Sequence, residues 1–340
     1  MSYRLAINGY GRIGRCVLRA LYESAHKQDM DIVAINELAD IETIAHLTKY
    51  DSTHGRFSGD ISVEGELLVI NGDRIPVTHF KQRDHLPWAA QKVDLVLECS
   101  GSFTDRVSAE QHLSCGAKRV LFSQPAEPCV DATIVYGINH QSLTADDTII
   151  SNASCTTNCI VPVIKCLDDG IGVELGHITT IHSAMNDQPV IDAYHHTDLR
   201  RTRSASASII PVETQLAKGI ARVLPEFEKR FTASAMRVPT VNVSIMDLTV
   251  QMKRATTVAE VNQLLKNAAT GGLAGILGYT DELLASCDFN HDVRSSIVDG
   301  GQTCVTGDRL VKVMAWFDNE WGFANRMLDV AGVLKNLTKK

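Results

Sequence analysis

The sequence predicts an α/β protein whose first half folds as a doubly wound parallel sheet. Three observations lead to this prediction. A glycine-rich turn lies between a short apolar run and a helical pattern. Several further short runs are continuously apolar, as strands buried on both faces of a parallel sheet are. The chain has 340 residues, and single cores seldom grow beyond about 250–300 residues, so two domains are expected.

The first of these observations is a strand–turn–helix–strand unit. RLAIN at 4–8 predicts a strand, GYGRIG follows at once, RCVLRALYES has helical spacing, and DIVAINE at 31–37 predicts the next strand. In a G-x-G-x-x-G turn the first glycine (Gly9) permits the turn, Gly11 lets backbone approach a pyrophosphate, and Gly14 lets the helix pack on the strand. The alternative is a glycine cluster in a loop with no ligand. The strand before it and the helix after it favour a Rossmann-type dinucleotide site.

Several other residues are predicted to bind the same dinucleotide. Glu37 ends the second strand, where a carboxylate binds a ribose diol and repels a 2′-phosphate, which favours NAD over NADP. The helix N-terminus offers free N–H groups to the phosphates. Further strands are predicted at 93–101, 118–123 and 147–151, and an antiparallel excursion between 50 and 85. The predicted cofactor contacts are Gly9, Gly11, Arg12, Ile13, Gly14, Glu37, Ser100, Gly101 and Ser123.

Two cysteines in ISNASCTTNC at 150–159 raise the question of chemistry. A helix predicted after Ser154, a plausible N-cap, places Cys155 in its first turn, where the helix dipole lowers a thiol pKa. Pro162 inside that pattern predicts a kink or a shorter helix. A metal clip, a redox pair and buried structural thiols compete with a nucleophile at Cys155. His182, at the end of a predicted strand, is a candidate base, although spacing alone does not pair the two residues.

Composition narrows the function classes. The net charge of −7 disfavours nonspecific nucleic-acid binding, and LRRTR at 199–203 is either a solvated loop or a local anion pocket. Nine cysteines at irregular spacing predict neither a disulfide framework nor a metal site. No apolar run approaches the roughly 20 residues that cross a bilayer, and we find no secretory signal. A cytoplasmic protein that does not bind membranes is expected.

Seven blocks together carry a resemblance that covers residues 4 to about 330. They are NGYGRIGR, ECSG, SNASCTTNC, TTIHSAMNDQ, DLRRTR, AMRVPT and WFDNEWGFANRM. In this order they resemble the glyceraldehyde-3-phosphate dehydrogenase family. The resemblance implies an NAD domain at 1–154 plus 319–340, an α+β catalytic domain with a largely antiparallel sheet at 155–318, and a homotetramer. It also implies that the last helix, with an apolar stripe on Trp321, Ala324, Leu328, Ala331 and Leu334, returns to the NAD domain.

The same resemblance assigns roles to individual residues. Cys155 falls on the family's nucleophile and His182 on its general base, while Asn319 falls on the residue that orients the nicotinamide amide. The loop 183–204 would reach toward a neighbouring cofactor site. The residues implied to bind the substrate's phosphate or a second anion are Ser154, Thr156, Asp187, Arg201, Thr214 and Arg237.

Two departures from the triose enzyme suggest a branch of this family. Ala184-Met185 replaces Tyr-Thr, and Gln215 stands where a glycine lines the inorganic phosphate site. HSAM-x-DQ, VETQLAKG and INELAD look like the erythrose-4-phosphate dehydrogenase branch, which oxidises a four-carbon sugar phosphate to 4-phosphoerythronate and feeds pyridoxal phosphate synthesis. A phosphorylating triose-phosphate dehydrogenase and an inactive NAD-binding sensor are the alternatives.

Overall fold

The chain forms two compact units in a computed structural model that describes residues 2–195 and 198–338. One unit holds the residues up to Ser154 together with those from Ala324 onward, and the other holds Cys155–Phe323. The sequence placed the second boundary five residues earlier, before Asn319. Residues 1, 339 and 340 of the predicted NAD domain, and 196–197 of the loop 183–204, lie outside the described residues.

The first unit is built around a mixed sheet. Among the described residues its strand order is β10-β11-β9-β8-β1-β2-β7-β6-β5. Neighbouring strands from β10 to β7 pair in parallel. β6 pairs antiparallel with β7 on one side and with β5 on the other, as the pattern between 50 and 85 predicted. The strands in chain order are β1 Tyr3–Asn8, β2 Met30–Asn36, β3 Tyr50–Asp51, β4 Gly55–Arg56, β5 Ile61–Glu64, β6 Leu67–Ile70, β7 Asp73–Thr78, β8 Leu95–Glu98, β9 Arg119–Phe122, β10 Ala132–Thr133 and β11 Ile149–Ser151.

The predicted parallel strands are confirmed, and their burial explains their composition. Every residue of β8 and β9 is buried, so neither strand can alternate apolar with polar residues. Because β2 and β8 flank β1 on opposite sides, the chain reverses its winding at β1, and ligands bind at such switch points. The helices of this unit are α1 Arg12–Glu23, α2 Ile41–Lys49 and α3 Arg106–Ser114.

The second unit contains a largely antiparallel sheet, in agreement with the predicted fold class. Its order is β13-β14-β12-β15-β18-β17-β16, with β12–β14 and β16–β17 as its parallel pairs. The strands are β12 Val173–His182, β13 Ile210–Val212, β14 Phe231–Arg237, β15 Ser244–Met252, β16 Leu277–Thr280, β17 Ser296–Thr306 and β18 Leu310–Phe317. The helices are α4 Cys155–Gly170, α5 Leu216–Val223 and α6 Val258–Thr270, and α7 Trp321–Thr338 crosses the boundary between units.

Helix α4 starts where the sequence placed it but differs in one respect. It begins at Cys155 and continues for 16 residues, through Pro162, so of the two outcomes predicted at that proline, a kink or a shorter helix, the shorter helix is wrong. Its middle turns are fully buried, including Cys159, Ile160 and Val163. That burial supplies packing energy that outweighs the loss of one backbone hydrogen bond at proline. In α7 the predicted stripe is confirmed, because Trp321 is 2% exposed and Ala324, Leu328, Ala331 and Leu334 are fully buried.

Candidate active site

The sheet of the second unit brings the two principal candidates together. Cys155 is the first residue of α4, and His182 is the last residue of β12. The Cys155 Sγ lies 3.9 Å from the His182 Nε2, at the outer limit of a hydrogen bond to sulfur. The cysteine side chain is half-buried and the imidazole is 6% exposed. The pair that spacing alone could not establish is therefore present.

The charge state of this pair differs from the expectation. We expected the helix N-terminus to lower the cysteine pKa, but burial raises the pKa of Cys155 to about 11, and the opposing effects of Arg237 and the backbone of Thr156 do not compensate. Burial, followed by the positive charge of Arg237, lowers the pKa of His182 to about 4. Both shifts have burial as their largest cause, because enclosure makes either side chain more costly to charge.

Arg237 lies beside His182 because the two residues are register partners on neighbouring parallel strands. Its Nη1 lies 3.0 Å from the His182 Nδ1 and donates to the Ser183 carbonyl oxygen at 3.4 Å. The His182 Nδ1 also lies 2.9 Å from that carbonyl oxygen. The imidazole also packs against Phe317 in an edge-to-face arrangement, with the ring centroids 6.1 Å apart.

Asn319 is oriented by two buried hydroxyl groups. Ser183 Oγ and Ser244 Oγ each donate to the Asn319 Oδ1 at 3.0 Å, and Ser244 Oγ also accepts from the Ser183 N–H at 3.0 Å. Because Oδ1 is the acceptor, the side-chain NH₂ points away from the serines as a fixed donor. Sequence reasoning missed both serines. Ser183 had a signal, since it directly follows His182, but nothing marked Ser244.

Among the predicted anion-binding residues, Arg201 contacts Asp187. Its Nη1 donates to Asp187 Oδ2 at 2.8 Å, and its Nε lies 3.3 Å from Asp198 Oδ2. Arg201 is therefore not a freely solvated cation. Thr214 Oγ1 accepts a hydrogen bond from the Leu216 N–H at 3.2 Å, at the start of α5. Thr156 lies in the first turn of α4 and Ser154 directly precedes that helix.

The glycine turn of the first unit has the shape that a dinucleotide pyrophosphate requires. Gly9 has φ +83°, and a Cβ there would lie 2.3 Å from the Ser100 Cα. A Cβ on Gly14 would lie 2.4 Å from the Gly9 carbonyl oxygen, whereas the space around Gly11 is open. Gly11 is the N-cap of α1, which places the positive end of that helix dipole at the turn, where a phosphate is favoured. These glycines fit the predicted cofactor.

The remaining predicted cofactor residues lie at strand ends of the same sheet. Glu37 follows β2, and its Oε2 and Oε1 accept the N–H groups of Tyr10 and Leu38, each at 2.6 Å. Oε1 also accepts the Ala39 N–H at 3.4 Å, so Oε2 is the oxygen that retains a lone pair for a ribose hydroxyl. The Arg12 side chain is paired with Asp51 at 2.5 Å. Ser100 and Gly101 follow β8, Ser123 follows β9, and Ile13 lies in the first turn of α1.

The sequence predicted that the cysteines form no disulfide framework. All nine cysteines are free thiols, and Cys159 is fully buried with its Sγ 3.6 Å from the Ser296 Oγ. This environment fits the structural role preferred for Cys159 on sequence grounds.

Within residues 2–195 and 198–338, no helix has both the length and the apolar character to cross a bilayer.

Two family models match the chain. Residues 3–106 match the model described as the glyceraldehyde 3-phosphate dehydrogenase NAD binding domain. Residues 154–319 match the model described as the C-terminal domain of the same dehydrogenase. Together the two matches cover well over half of the 340 residues. The first contains the glycine turn and the second contains Cys155, His182, Arg237 and Asn319.

Proposed function

Because the chain belongs to the glyceraldehyde-3-phosphate dehydrogenase family and is an NAD-dependent oxidoreductase acting on an aldehyde, we propose that it oxidises D-erythrose 4-phosphate to 4-phosphoerythronate. The observation that carries the covalent chemistry is the 3.9 Å contact between Cys155 Sγ and His182 Nε2. The substrate is proposed from Met185 and Gln215, which replace residues of the triose enzyme's anion site. Its product would feed pyridoxal phosphate synthesis.

The first half of the proposed reaction takes place on the sulfur. His182 Nε2 takes the Cys155 thiol proton as Sγ attacks the aldehyde carbon. The C–S bond forms as the C=O π bond breaks, and the proton passes to the resulting oxyanion, which gives a hemithioacetal. His182 Nε2 takes the proton of the hemithioacetal hydroxyl as the carbon is oxidised to a thioester. NAD, when bound, supplies the acceptor for the hydride that leaves this carbon. The attachment to sulfur turns the aldehyde carbon into a hemithioacetal carbon. Its hydrogen can leave as hydride because its C–O bond becomes the carbonyl of the thioester.

The second half releases the acyl group. His182 first releases its proton to solvent. Water then attacks the thioester carbonyl as His182 Nε2 takes a water proton, the C–S bond breaks, and His182 returns that proton to the departing sulfur. The carboxylic acid product ionises to the carboxylate. In the triose enzyme inorganic phosphate takes the place of water. Met185 offers no hydroxyl to a phosphate oxygen and its side chain is 45% exposed at the start of the loop 183–204. That chemistry supports hydrolysis over phosphorolysis.

The other site residues hold the reactants. We place Arg237 and Asp187 at the site for the substrate's own phosphate. Arg201 is proposed to lie between that site and a second anion site, which is formed by Ser154, Thr156 and Thr214. Arg237 is half-buried, which strengthens its attraction for an anion. Asn319 donates its side-chain NH₂ to the nicotinamide amide. Ser183 and Ser244 fix that orientation, because their hydroxyl groups donate to the Asn319 Oδ1.

The domain assignment and assembly belong to the same proposal. We assign residues 1–154 and 319–340 to NAD binding and residues 155–318 to catalysis. A homotetramer is proposed, and it is supported by large apolar side chains that stand exposed within the second unit. These are Val190, Ile191, Tyr194, Leu199, Ile209 and Val241, which are 67–103% exposed. We also propose a cytoplasmic location without membrane or nucleic-acid partners. Light scattering that gives a monomer mass at micromolar concentration would contradict the tetramer.

Steady-state kinetics separate this function from its nearest alternative. We expect D-erythrose 4-phosphate to be oxidised with a higher kcat/KM than D-glyceraldehyde 3-phosphate, and inorganic phosphate to leave the rate unchanged. In H₂¹⁸O the carboxylate product should gain one ¹⁸O, detected by mass spectrometry. An obligatory need for inorganic phosphate would instead identify a phosphorylating enzyme. No oxidation of either aldehyde, with NAD binding intact, would identify a sensor.

A pair of substitutions tests the two departures directly. We expect M185T together with Q215G to make thioester release respond to inorganic phosphate, because these changes restore a hydroxyl and remove bulk at the second anion site. L175T is a matched control, since Leu175 is 56% exposed in the same unit. If phosphate stimulates the double variant no more than the control, these two residues do not decide between water and phosphate.

A further inference from the structure

A chain of buried polar side chains joins the ends of three neighbouring strands in the first unit. Asn36 is the last residue of β2, Asn8 of β1 and Glu98 of β8. The Asn36 Nδ2 donates to the Asn8 Oδ1 at 2.9 Å, and the Asn8 Nδ2 donates to the Glu98 Oε2 at 2.6 Å. All three residues are buried, and Glu98 is fully so. Because a buried polar group is costly unless it is hydrogen-bonded, this chain ties the three strand ends to one another.

Predicted cofactor contacts follow this chain directly in sequence. Gly9 is the next residue after Asn8, and Ser100 comes just beyond Glu98. The turns after β1 and β8 also touch each other, since a Cβ on Gly9 would lie 2.3 Å from the Ser100 Cα. A shift of the Ser100 backbone would therefore reach the glycine turn, at the switch point where a dinucleotide binds.

The Glu98 carboxylate is surrounded by hydrogen-bond donors. Its Oε1 accepts the Ser100 N–H at 2.8 Å, and its Oε2, besides the Asn8 amide, lies 3.0 Å from the His112 Nε2. Trp88 Nε1 can only donate and lies 3.0 Å from the His112 Nδ1, so the imidazole proton is on Nε2 and points to Glu98. Burial opposes ionisation, but these hydrogen bonds hold the pKa of Glu98 below its ordinary value.

We propose that Glu98 is a positioning residue for NAD, which holds the Ser100 backbone against the glycine turn before the cofactor arrives. The carboxylate does so by accepting from Ser100 through one oxygen and from Asn8 through the other. Because Glu98 is fully buried, it acts through these partners and not by touching the cofactor. A turn that is ordered in advance costs less to bind. The inference depends on the family's use of NAD and on the predicted contact at Ser100, and not on the identity of the sugar.

The E98Q variant disturbs the cofactor turn selectively. A side-chain amide has one acceptor oxygen, whereas the carboxylate has two. Directed toward Asn8 and His112, that oxygen keeps two of the three hydrogen bonds, so this orientation is favoured. The amide NH₂ then faces the Ser100 N–H, and two donors oppose each other at the turn.

NAD affinity is the first measurement. In calorimetric titrations of the full chain with NAD, we expect E98Q to raise Kd about tenfold, the effect of losing one hydrogen bond to a charged acceptor. The KM for NAD should rise by the same factor, with kcat at saturating NAD unchanged. The sign excludes a simple charge effect, because removal of a buried negative charge would favour the anionic pyrophosphate.

W88F is the matched control at the far end of the same network. It removes the donor to His112 and leaves a cavity, so it should reduce the free energy of unfolding in urea at least as much as E98Q does. NAD affinity should nevertheless stay nearly unchanged, because the three donors to Glu98 remain. An equal loss of affinity in W88F would overturn the proposal, since general destabilisation would then explain both variants.

Hydrogen–deuterium exchange tests the turn itself. In NAD-free enzyme we expect the Ser100 amide to exchange slowly, and faster in E98Q, as followed by mass spectrometry of the peptide that contains it. Rapid exchange in the unmodified enzyme would overturn the proposal without any variant, as would an E98Q affinity equal to that of the unmodified enzyme. If E98Q does not fold, as judged by circular dichroism, exchange in the unmodified enzyme decides. Calorimetry and exchange need no aldehyde, so failure of the substrate assignment shows only in the kinetics above.

Discussion

The ionisation of Cys155 gives the sharpest prediction about the free site. Because burial raises the pKa of this thiol to about 11, we expect the alkylation rate in NAD-free enzyme to rise about tenfold per pH unit from pH 6 to pH 10. The sign follows from the chemistry, since the thiolate is the reactive form and its fraction grows as the pH approaches the pKa from below.

The magnitude follows from two opposing effects. At pH 7 a thiol with the ordinary pKa of about 8.5 is about 3% ionised, whereas one with a pKa of about 11 is roughly 0.01% ionised, which is about 300-fold less. A more basic thiolate is also a better nucleophile. With a Brønsted coefficient of about 0.4–0.5, a pKa that is higher by 2.5 units increases the rate constant of the thiolate roughly 13-fold. The net expectation is alkylation of Cys155 about 20-fold slower than that of free cysteine.

The assay is iodoacetamide labelling followed by mass spectrometry of the peptide that carries Cys155. The exposed thiols Cys129, Cys287 and Cys304 act as internal references in the same sample, and we expect them to react first at pH 7. Circular dichroism at each pH confirms that the fold persists. A rate that levels off with a midpoint below pH 8 would refute the reasoning, because it would show a preformed thiolate in the free site.

Four further outcomes are expected. C155A should abolish turnover while leaving NAD affinity unchanged by calorimetry, with C159A as the matched control on the same helix; substantial oxidation by C155A would refute the covalent route. H182N should lower kcat by roughly 10²–10⁴, whereas H177N on the same strand should not, and a fully active H182N would assign the proton to another residue. S244A should lower kcat about five- to tenfold, since one hydrogen bond to Asn319 contributes about 1 kcal/mol, and should reduce the free energy of unfolding by about 1–3 kcal/mol, since the buried Ser183 N–H loses its acceptor; a normal kcat would deny it an orienting role. L328A should reduce the free energy of unfolding by about 2–5 kcal/mol in urea titrations, and a loss below about 1 kcal/mol would contradict its place in the core.

The fold was largely predictable because its signals are local. The strand at 4–8, the glycine turn and the helix after it are adjacent in sequence, and each satisfies its own periodicity. The parallel strands were readable from uninterrupted apolar runs. Pro162 left a kink and a shorter helix both open, since a local rule for proline cannot weigh the burial of the surrounding helix turns against one lost hydrogen bond.

The site was predictable only in part because its contacts join distant segments. Arg237 is 55 residues from His182 in sequence and meets it only through the pairing of β12 with β14. Ser244 reaches Asn319 across 75 residues. The direction of the cysteine pKa shift was wrong for a related reason. The helix terminus is visible in the sequence, but the depth at which the fold places Cys155 is not.

The parallel pairing of β12 and β14 has an evolutionary consequence. Successive side chains of a strand point to opposite faces, so an insertion or deletion of one residue before either pairing partner would turn His182 or Arg237 to the wrong side of the sheet. Length changes within these two segments should therefore be purged far more strictly than amino-acid replacements on their solvent face. In related chains, gaps are expected in the connections between them and not inside them.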